Sequence, residues 1–229
     1  MEISVDSLLA GARQAIGAVG IIDVFRAFTT AAVALANGAS RIVMVGTVEE
    51  ALSLRTTGLV QICMGEARGL MPAGFDFGNS PFAVSGADLR GKAIAQRTSA
   101  GTQGIVAAAH AECLFATALV TATATARACL ARGLGRVSLV AMGKDGVART
   151  DEDELCALHI RNILEGRPGN PQAVRQMILA AGEAARFGEA NPPHLHPGDL
   201  EIALDIDRYD FAVPVTMENG RPVARMQWI

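Results

Sequence analysis

Short runs rich in valine and isoleucine recur along the chain, and alanine-rich segments of helical length separate them. The runs are continuous rather than alternating, so their side chains are expected to be buried on both faces. Strands alternating with helices predict an α/β fold, a mostly parallel sheet with helices on its faces. Residues 18–24 form the first such strand and residues 29–37 the helix after it, with Gly38 placed to end that helix in a left-handed cap. Residues 41–45 read as the next strand, and Thr47 and Glu50 then have capping-box spacing. Further strands are expected over 60–64, 93–96 and 137–142, and residues 113–133 read as a strand followed by a helix.

Two breaks interrupt this rhythm. Residues 65–81 contain four glycines and two prolines, a length of loop that is suspect unless it builds a site. Residues 188–198 hold three more prolines and separate a helical stretch over 171–187 from the tail. In the tail, residues 211–217 and 222–227 flank Asn219-Gly220, a strong hairpin signal. The expectation is one α/β unit with a small C-terminal β-hairpin appendage, in which 188–229 could form the extension of a two-lobed arrangement.

Half of the 229 residues are apolar, enough for a buried core, and the formal charge of −3 carries no footprint for nucleic-acid backbones. All but two of the 20 basic residues are arginines, whose planar forks suit phosphate, sulfonate and carboxylate groups. Cys63, Cys113, Cys129 and Cys156 form no C-x-x-C pair and sit among apolar residues, as packed thiols in a reducing compartment do. The N-terminus lacks the pattern of a signal peptide. The apolar stretch 114–129 is broken by Arg127 and falls short of the ~20 residues of a membrane span. A soluble cytoplasmic protein is expected, without a membrane or nucleic-acid partner. Alanine-rich helices that pack closely leave a homo-oligomer open.

In an open parallel sheet, ligands bind beyond the carboxyl ends of the strands. Four strand ends here carry polar chemistry. Asp23 and Arg26 follow the first run, and Glu66 and Arg68 follow residues 60–64. Gln96, Arg97, Thr98 and Ser99 follow the fourth run. Lys144, Asp145 and the cluster Asp151, Glu152 and Asp153 follow residues 137–142.

Asp23 is the sharpest candidate. A carboxylate ending an apolar run is costly to desolvate unless a cation or metal meets it, and Mg²⁺ takes a few carboxylates while keeping waters. A helix cap near Ala27 or a pair with Arg26 would explain it equally simply. Arg26, Arg68 and Arg97 could each bind an anionic oxygen pair, or be solvated. The small residues from Ser99 through Gly101 and Thr102 open a helix after a strand, where backbone N–H groups can approach a phosphate, although a bare turn and cap would look similar. This run is neither a Walker A loop nor G-x-G-x-x-G. His194 and His196 lie in a proline-rich loop and read as structural, as do His110 and His159. Asp23-Val24-Phe25 lacks the second aspartate of haloacid-dehalogenase-type phosphatases, and no Gly-x-Ser-x-Gly elbow is present.

Three segments, IIDVFRAFTTAAVALANGA (21–39), GEARGLMPAGFDFGNSPF (65–82) and QRTSAGTQGI (96–105), resemble the ComB-type 2-phosphosulfolactate phosphatase family. An acidic motif over 143–153 and the tail ALDIDRYDFAVPV (203–215) extend the likeness over essentially the whole chain. The resemblance implies a Mg²⁺-dependent acid phosphatase that converts 2-phosphosulfolactate to sulfolactate, a step towards coenzyme M in methanogens. It points to Asp23, Arg26, Glu66, Asn79, Arg97, Thr98, Ser99 and Asp153. Many relatives carry Thr-Asn-Gly-Thr where this chain reads Ser99-Ala100-Gly101-Thr102, so an amide is missing at Ala100. The expected arrangement is Mg²⁺ held by Asp23 with Glu66 or Asp153. Arg26 and Arg97 would bind the anionic groups of a small phosphorylated substrate, assisted by Arg68, Asn79 and the turn 99–102. Hydrolysis of another small phosphorylated hydroxy acid, or non-catalytic binding of an anionic metabolite, are the alternatives.

Overall fold

The computed structural model describes residues 1–167, 169–188 and 194–229. Along the chain these form β1 (Glu2–Ser7), α1 (Leu8–Gln14), β2 (Ala18–Ile22), α2 (Ala27–Ala36), β3 (Arg41–Met44), α3 (Val48–Thr56), β4 (Ile62–Gly65), α4 (Pro81–Ser85), β5 (Ala93–Arg97), α5 (Gly101–Ala107), β6 (Cys113–Thr117), α6 (Ala122–Ala131) and β7 (Arg136–Ala141). After them come α7 (Asp151–Leu164), α8 (Pro171–Ala180), α9 (Pro197–Ala203), β8 (Phe211–Ala212), β9 (Pro214–Glu218), β10 (Arg221–Ala224) and β11 (Gln227–Trp228).

The valine and isoleucine runs all become strands. β2 is buried at every position, as a continuous run requires. Gly38 stands just past α2 with φ +93°, and the Thr47 hydroxyl accepts the Glu50 N–H at 3.1 Å to cap α3. The helical stretch over 171–187 is interrupted: α8 ends at Ala180 and a separate 3₁₀ turn, Ala184–Phe187, follows. The proline-rich break over 188–198 lies partly outside the described residues, and α9 opens at its far end with Pro197 in the first turn.

Nine strands form one sheet in the order β1-β7-β2-β6-β9-β10-β3-β5-β4. Pairing is parallel within β1-β7-β2-β6 and within β3-β5-β4. The Asn219-Gly220 hairpin joins them, with both turn residues at positive φ as a primed turn needs. It is more than an appendage: β9 and β10 stand in the middle of the sheet, antiparallel to β6 and β3. The small separate C-terminal sheet is the antiparallel pair β8 and β11.

Three successive antiparallel pairings reverse the direction of β3-β5-β4 relative to the first four strands. In a flat sheet the tips of β2 and β4 would then lie at opposite edges. They meet instead, because the sheet twists at each strand pair and curls around α2. Every residue of α2 from Ala27 to Leu35 is buried, in one cluster with β2 and β6 from one half and β3, β4 and β5 from the other. The outer faces are covered separately, the first half by α6 and α7 and the second by α3. Among the described residues no helix is long and apolar enough to cross a membrane.

The tip of β4 shows how tightly the reversed half is closed. Gly65 has φ +130°, and a Cβ there would stand 1.9 Å from the Arg97 carbonyl oxygen, which is backbone and cannot move aside alone. Gly65→Ala is therefore expected to lower stability by on the order of 2 kcal/mol or more. Urea unfolding reads this as a lower midpoint with unchanged slope. An unaltered midpoint would show that the strand tip has room this packing denies it.

Candidate active site

Asp23 follows β2 directly and is 6% exposed. Its Oδ1 accepts the Ala27 N–H at 3.0 Å, so it does cap α2, and its Oδ2 accepts the Gly101 N–H at 2.8 Å from the start of α5. No side chain fits at Gly101, where a Cβ would lie 2.8 Å from that same oxygen. Glu66 follows β4 and reaches the same turn: one carboxylate oxygen accepts the Ser99 N–H, the other the Ser99 hydroxyl at 3.0 Å and the Gly69 N–H at 2.7 Å. Asp153, in the first turn of α7, accepts the Val24 N–H at 2.7 Å and the Gly143 N–H at 2.8 Å. Three carboxylates thus tie together the tips of β2, β4, β5 and β7.

Two backbone N–H groups of the turn over 99–102, those of Ser99 and Gly101, meet the protein's own carboxylates. The Thr102 N–H goes to Thr98 Oγ1 and the Thr98 N–H to Thr102 Oγ1, so the two buried threonines lock each other. The small residues that open α5 let these carboxylates reach the backbone, the same feature that would admit a phosphate.

A cavity of about 180 Å³ opens above these tips. Asp23, Arg26, Glu66, Arg68, Asn79 and Ser99 line it, which brings together six of the residues singled out from sequence. Arg97, Thr98, Thr102 and Asp153 do not line it. Arg97 points its Nη1 at the Glu66 carbonyl at 2.8 Å and at Ser99 Oγ at 3.2 Å, bracing the loop that carries Glu66. Gly101 serves Asp23 from behind. The remaining lining comes from Phe25, Gly69 and Ala100, from Gly143, Lys144, Asp145, Thr150 and Glu152, and from Glu183, Arg186, Phe187 and Leu195.

Sequence reasoning placed Glu152 in an acidic cluster after a strand but gave it no role. It opens α7, where four acidic residues complement the helix dipole, and it faces inward. Thr150 at the N-cap position just before four acids was the available signal. Glu183 and Arg186, ion-paired three residues apart on the 3₁₀ turn, had none.

Electrostatics mark the acid cluster. Burial pushes Asp23 up to about 6, opposed by the Ala27 N–H and reinforced by the nearby Glu66 charge. Burial also pushes Glu152 up to about 7, with the Glu183 and Asp23 charges adding to it. Asp153 is raised well above the usual carboxylate range by burial, then by Glu152 and Asp23. Glu152 Oε2 is buried without a hydrogen-bond partner among the described residues, and the nearby Thr150 hydroxyl favours the charged form of Glu152. Asn79 Oδ1 is a second buried acceptor without a donor.

These groups bear on a metal ion. Among the described residues no three acidic, histidine or cysteine side chains converge on one point, so Asp23, Glu66 and Asp153 do not form a ready triad. Asp153 does not line the cavity and spends both oxygens on the backbone N–H groups of Val24 and Gly143. Mg²⁺, however, takes one or two carboxylates and fills its octahedron with water and substrate oxygens. Asp23, Glu66 and Glu152 share one cavity, the Glu66 charge raises the proton affinity of Asp23 and the Asp23 charge that of Glu152, and Glu152 Oε2 has no donor among the described residues, a set that suits such an ion.

The profile of the family described as 2-phosphosulpholactate phosphatase matches residues 7–192. The chain is 35% identical over 205 residues to a probable 2-phosphosulfolactate phosphatase of Bacillus subtilis, covering 88% of each chain. It is 39% identical over 133 residues to one of Deinococcus radiodurans, covering 58% of this chain and 55% of that one. It is 30% identical over 199 residues to one of Thermoplasma volcanium, covering 87% and 89%.

The raised Glu152 carboxyl has a pH signature. Its folded pKa of about 7 exceeds the ordinary 4.5, so the folded state holds the proton more tightly. Its contribution to stability is whole below the lower value and is lost as pH rises through the upper one. In chelator at about pH 8, Glu152→Gln is expected to melt above the parent by about 5 °C, an advantage that fades towards about pH 5. A variant that melts lower at both pH values would mean the carboxylate is not strained there.

Proposed function

The chain belongs to the 2-phosphosulpholactate phosphatase family, whose members are phosphoric monoester hydrolases, and we propose that it hydrolyses 2-phosphosulfolactate to sulfolactate and phosphate with Mg²⁺ as cofactor. The observation that carries this reading is the cavity that Asp23, Glu66 and Glu152 line together with Arg26, Arg68 and Lys144.

Five carboxylates and four cationic side chains line that cavity. A substrate bearing phosphate, sulfonate and carboxylate does not enter such a wall favourably unless further positive charge is present. Asp23 with Glu66 or Glu152 would hold the ion, which supplies that charge to the phosphoryl oxygens during transfer. Arg26 forms the buried side of the cavity, where its guanidinium offers a fork to an anionic oxygen pair. Arg68 and Lys144 stand at the exposed rim with no side-chain partner among the described residues, and are placed to take the carboxylate and sulfonate. Phe187 and Leu195 supply an apolar wall that limits water at the reacting group. Phosphate-ester hydrolysis asks mainly for positioning and charge stabilisation, and these are what the residues provide.

All four cysteines are free thiols, three of them buried, in keeping with a reducing compartment such as the cytoplasm.

Phosphate release from 2-phosphosulfolactate, phospholactate and phosphoglycerate, each with and without Mg²⁺, tests the reading. Turnover is expected to be fastest on the sulfonated ester, to need the ion, and to fall by at least ~10³-fold in Asp23→Asn. Faster turnover of an unsulfonated ester would end the substrate assignment while leaving the hydrolase class. Undiminished turnover in chelator would end the role of Mg²⁺.

A further inference from the structure

Arg26 does not stand alone at the floor of the cavity. Its Nη1 donates to Asp199 Oδ2 at 2.9 Å and to the His194 carbonyl at 2.6 Å. The Phe187 ring covers the guanidinium, 5.9 Å from its centroid. Asp199, in the first turn of α9, is fully buried and does not line the cavity. Its other oxygen accepts the Ser80 hydroxyl at 2.6 Å and the Phe82 N–H at 3.1 Å. One carboxylate therefore joins two stretches of the cavity wall, Arg26 and the segment carrying Asn79.

A site needing only positive charge would leave Arg26 unpaired, as Arg68 and Lys144 are. The buried carboxylate weakens the attraction of Arg26 for anions, and what it contributes in exchange is orientation. A guanidinium fixed at one nitrogen from two directions has little rotamer freedom left to lose when an anion binds. We propose that Asp199 is a positioning residue for the reaction, itself held by the Ser80 hydroxyl and the Phe82 N–H and in turn holding Arg26 so that the fork meets the substrate's anionic oxygens already aimed. This rests on the reading of Arg26 as an anion clamp.

The test is a double-mutant cycle on the full chain with Asp199→Asn, Arg26→Gln and the two combined. Asp199→Asn keeps the size and removes the charge. It is expected to lower kcat/KM for 2-phosphosulfolactate by ~10–100-fold and to weaken calorimetric binding of inorganic phosphate in parallel. In the Arg26→Gln background the same change is expected to cost no more than about twofold, because Asp199 acts only through Arg26. Losses that multiply, or an Asp199→Asn enzyme with parental kcat/KM, would overturn the proposal. Should Asp199→Asn fail to fold, Ser80→Ala loosens the same carboxylate; its expected ~3–10-fold loss must also vanish beside Arg26→Gln, and persistence would count against the idea. If the parent enzyme prefers another ester, the substrate reading fails alone, and the cycle read on phosphate binding still decides the role of Asp199.

Discussion

The tips of the sheet are held by buried carboxylates that accept backbone N–H groups from neighbouring turns. Asp23 takes N–H groups of Ala27 and Gly101, Glu66 those of Ser99 and Gly69, and Asp153 those of Val24 and Gly143. Each of these donors lies at a helix start or in a turn, where no strand or helix ladder serves it, and each would cost free energy if buried unpaired. The acids satisfy the backbone, and the backbone in turn offsets part of the desolvation of the acids. The remainder of that desolvation appears as the raised proton affinity of Asp23 and Asp153. Structural closure and a concentrated negative potential are thus the same interaction, so the site cannot be made comfortable without loosening the fold.

Closure of this kind requires tips from both half-sheets to reach one place, which strand direction alone forbids. The C-terminal hairpin reverses β3-β5-β4, and α2, buried on every side, gives the sheet something to wrap. The helix can be enclosed because it is built of alanine, threonine and few large side chains, so two sheet faces approach it closely. The hairpin β9-β10 therefore completes the middle of the sheet, and Glu66 depends for its position on residues far beyond the segment that contains it.

The strands were legible because a run buried on both faces has a composition no other element shares. β1 was not, since EISVDS interleaves polar residues at the exposed edge of the sheet. α7 was obscured because its acidic first turn also reads as a strand-end cluster. Asp23, Glu66 and Arg26 were found by one rule, polar chemistry just after an apolar run. The same rule pointed to Arg97 and Thr98, which do not line the cavity: Arg97 bonds the loop that carries Glu66, and Thr98 bonds Thr102. Asp199 followed no such run, and its partners, Arg26 and Ser80, are 173 and 119 residues away in sequence. No local pattern encodes a contact of that span.

The charge balance of the cavity bears on why the proposed reaction should be selective. Cationic side chains are fewer than carboxylates there, and two of them, Arg26 and Arg186, are already paired. On the proposed reading, an ester with a single anionic group would gain little beyond the ion itself. An ester with three anionic groups could use the ion, the buried fork and the rim cations together, each attraction strengthened by the exclusion of water. Ion and ester would then favour one another's binding, because each relieves a repulsion the other faces. Discrimination would arise from the acids as much as from the arginines: a wall without Asp23, Glu66 and Glu152 would attract any small anion and distinguish among them poorly.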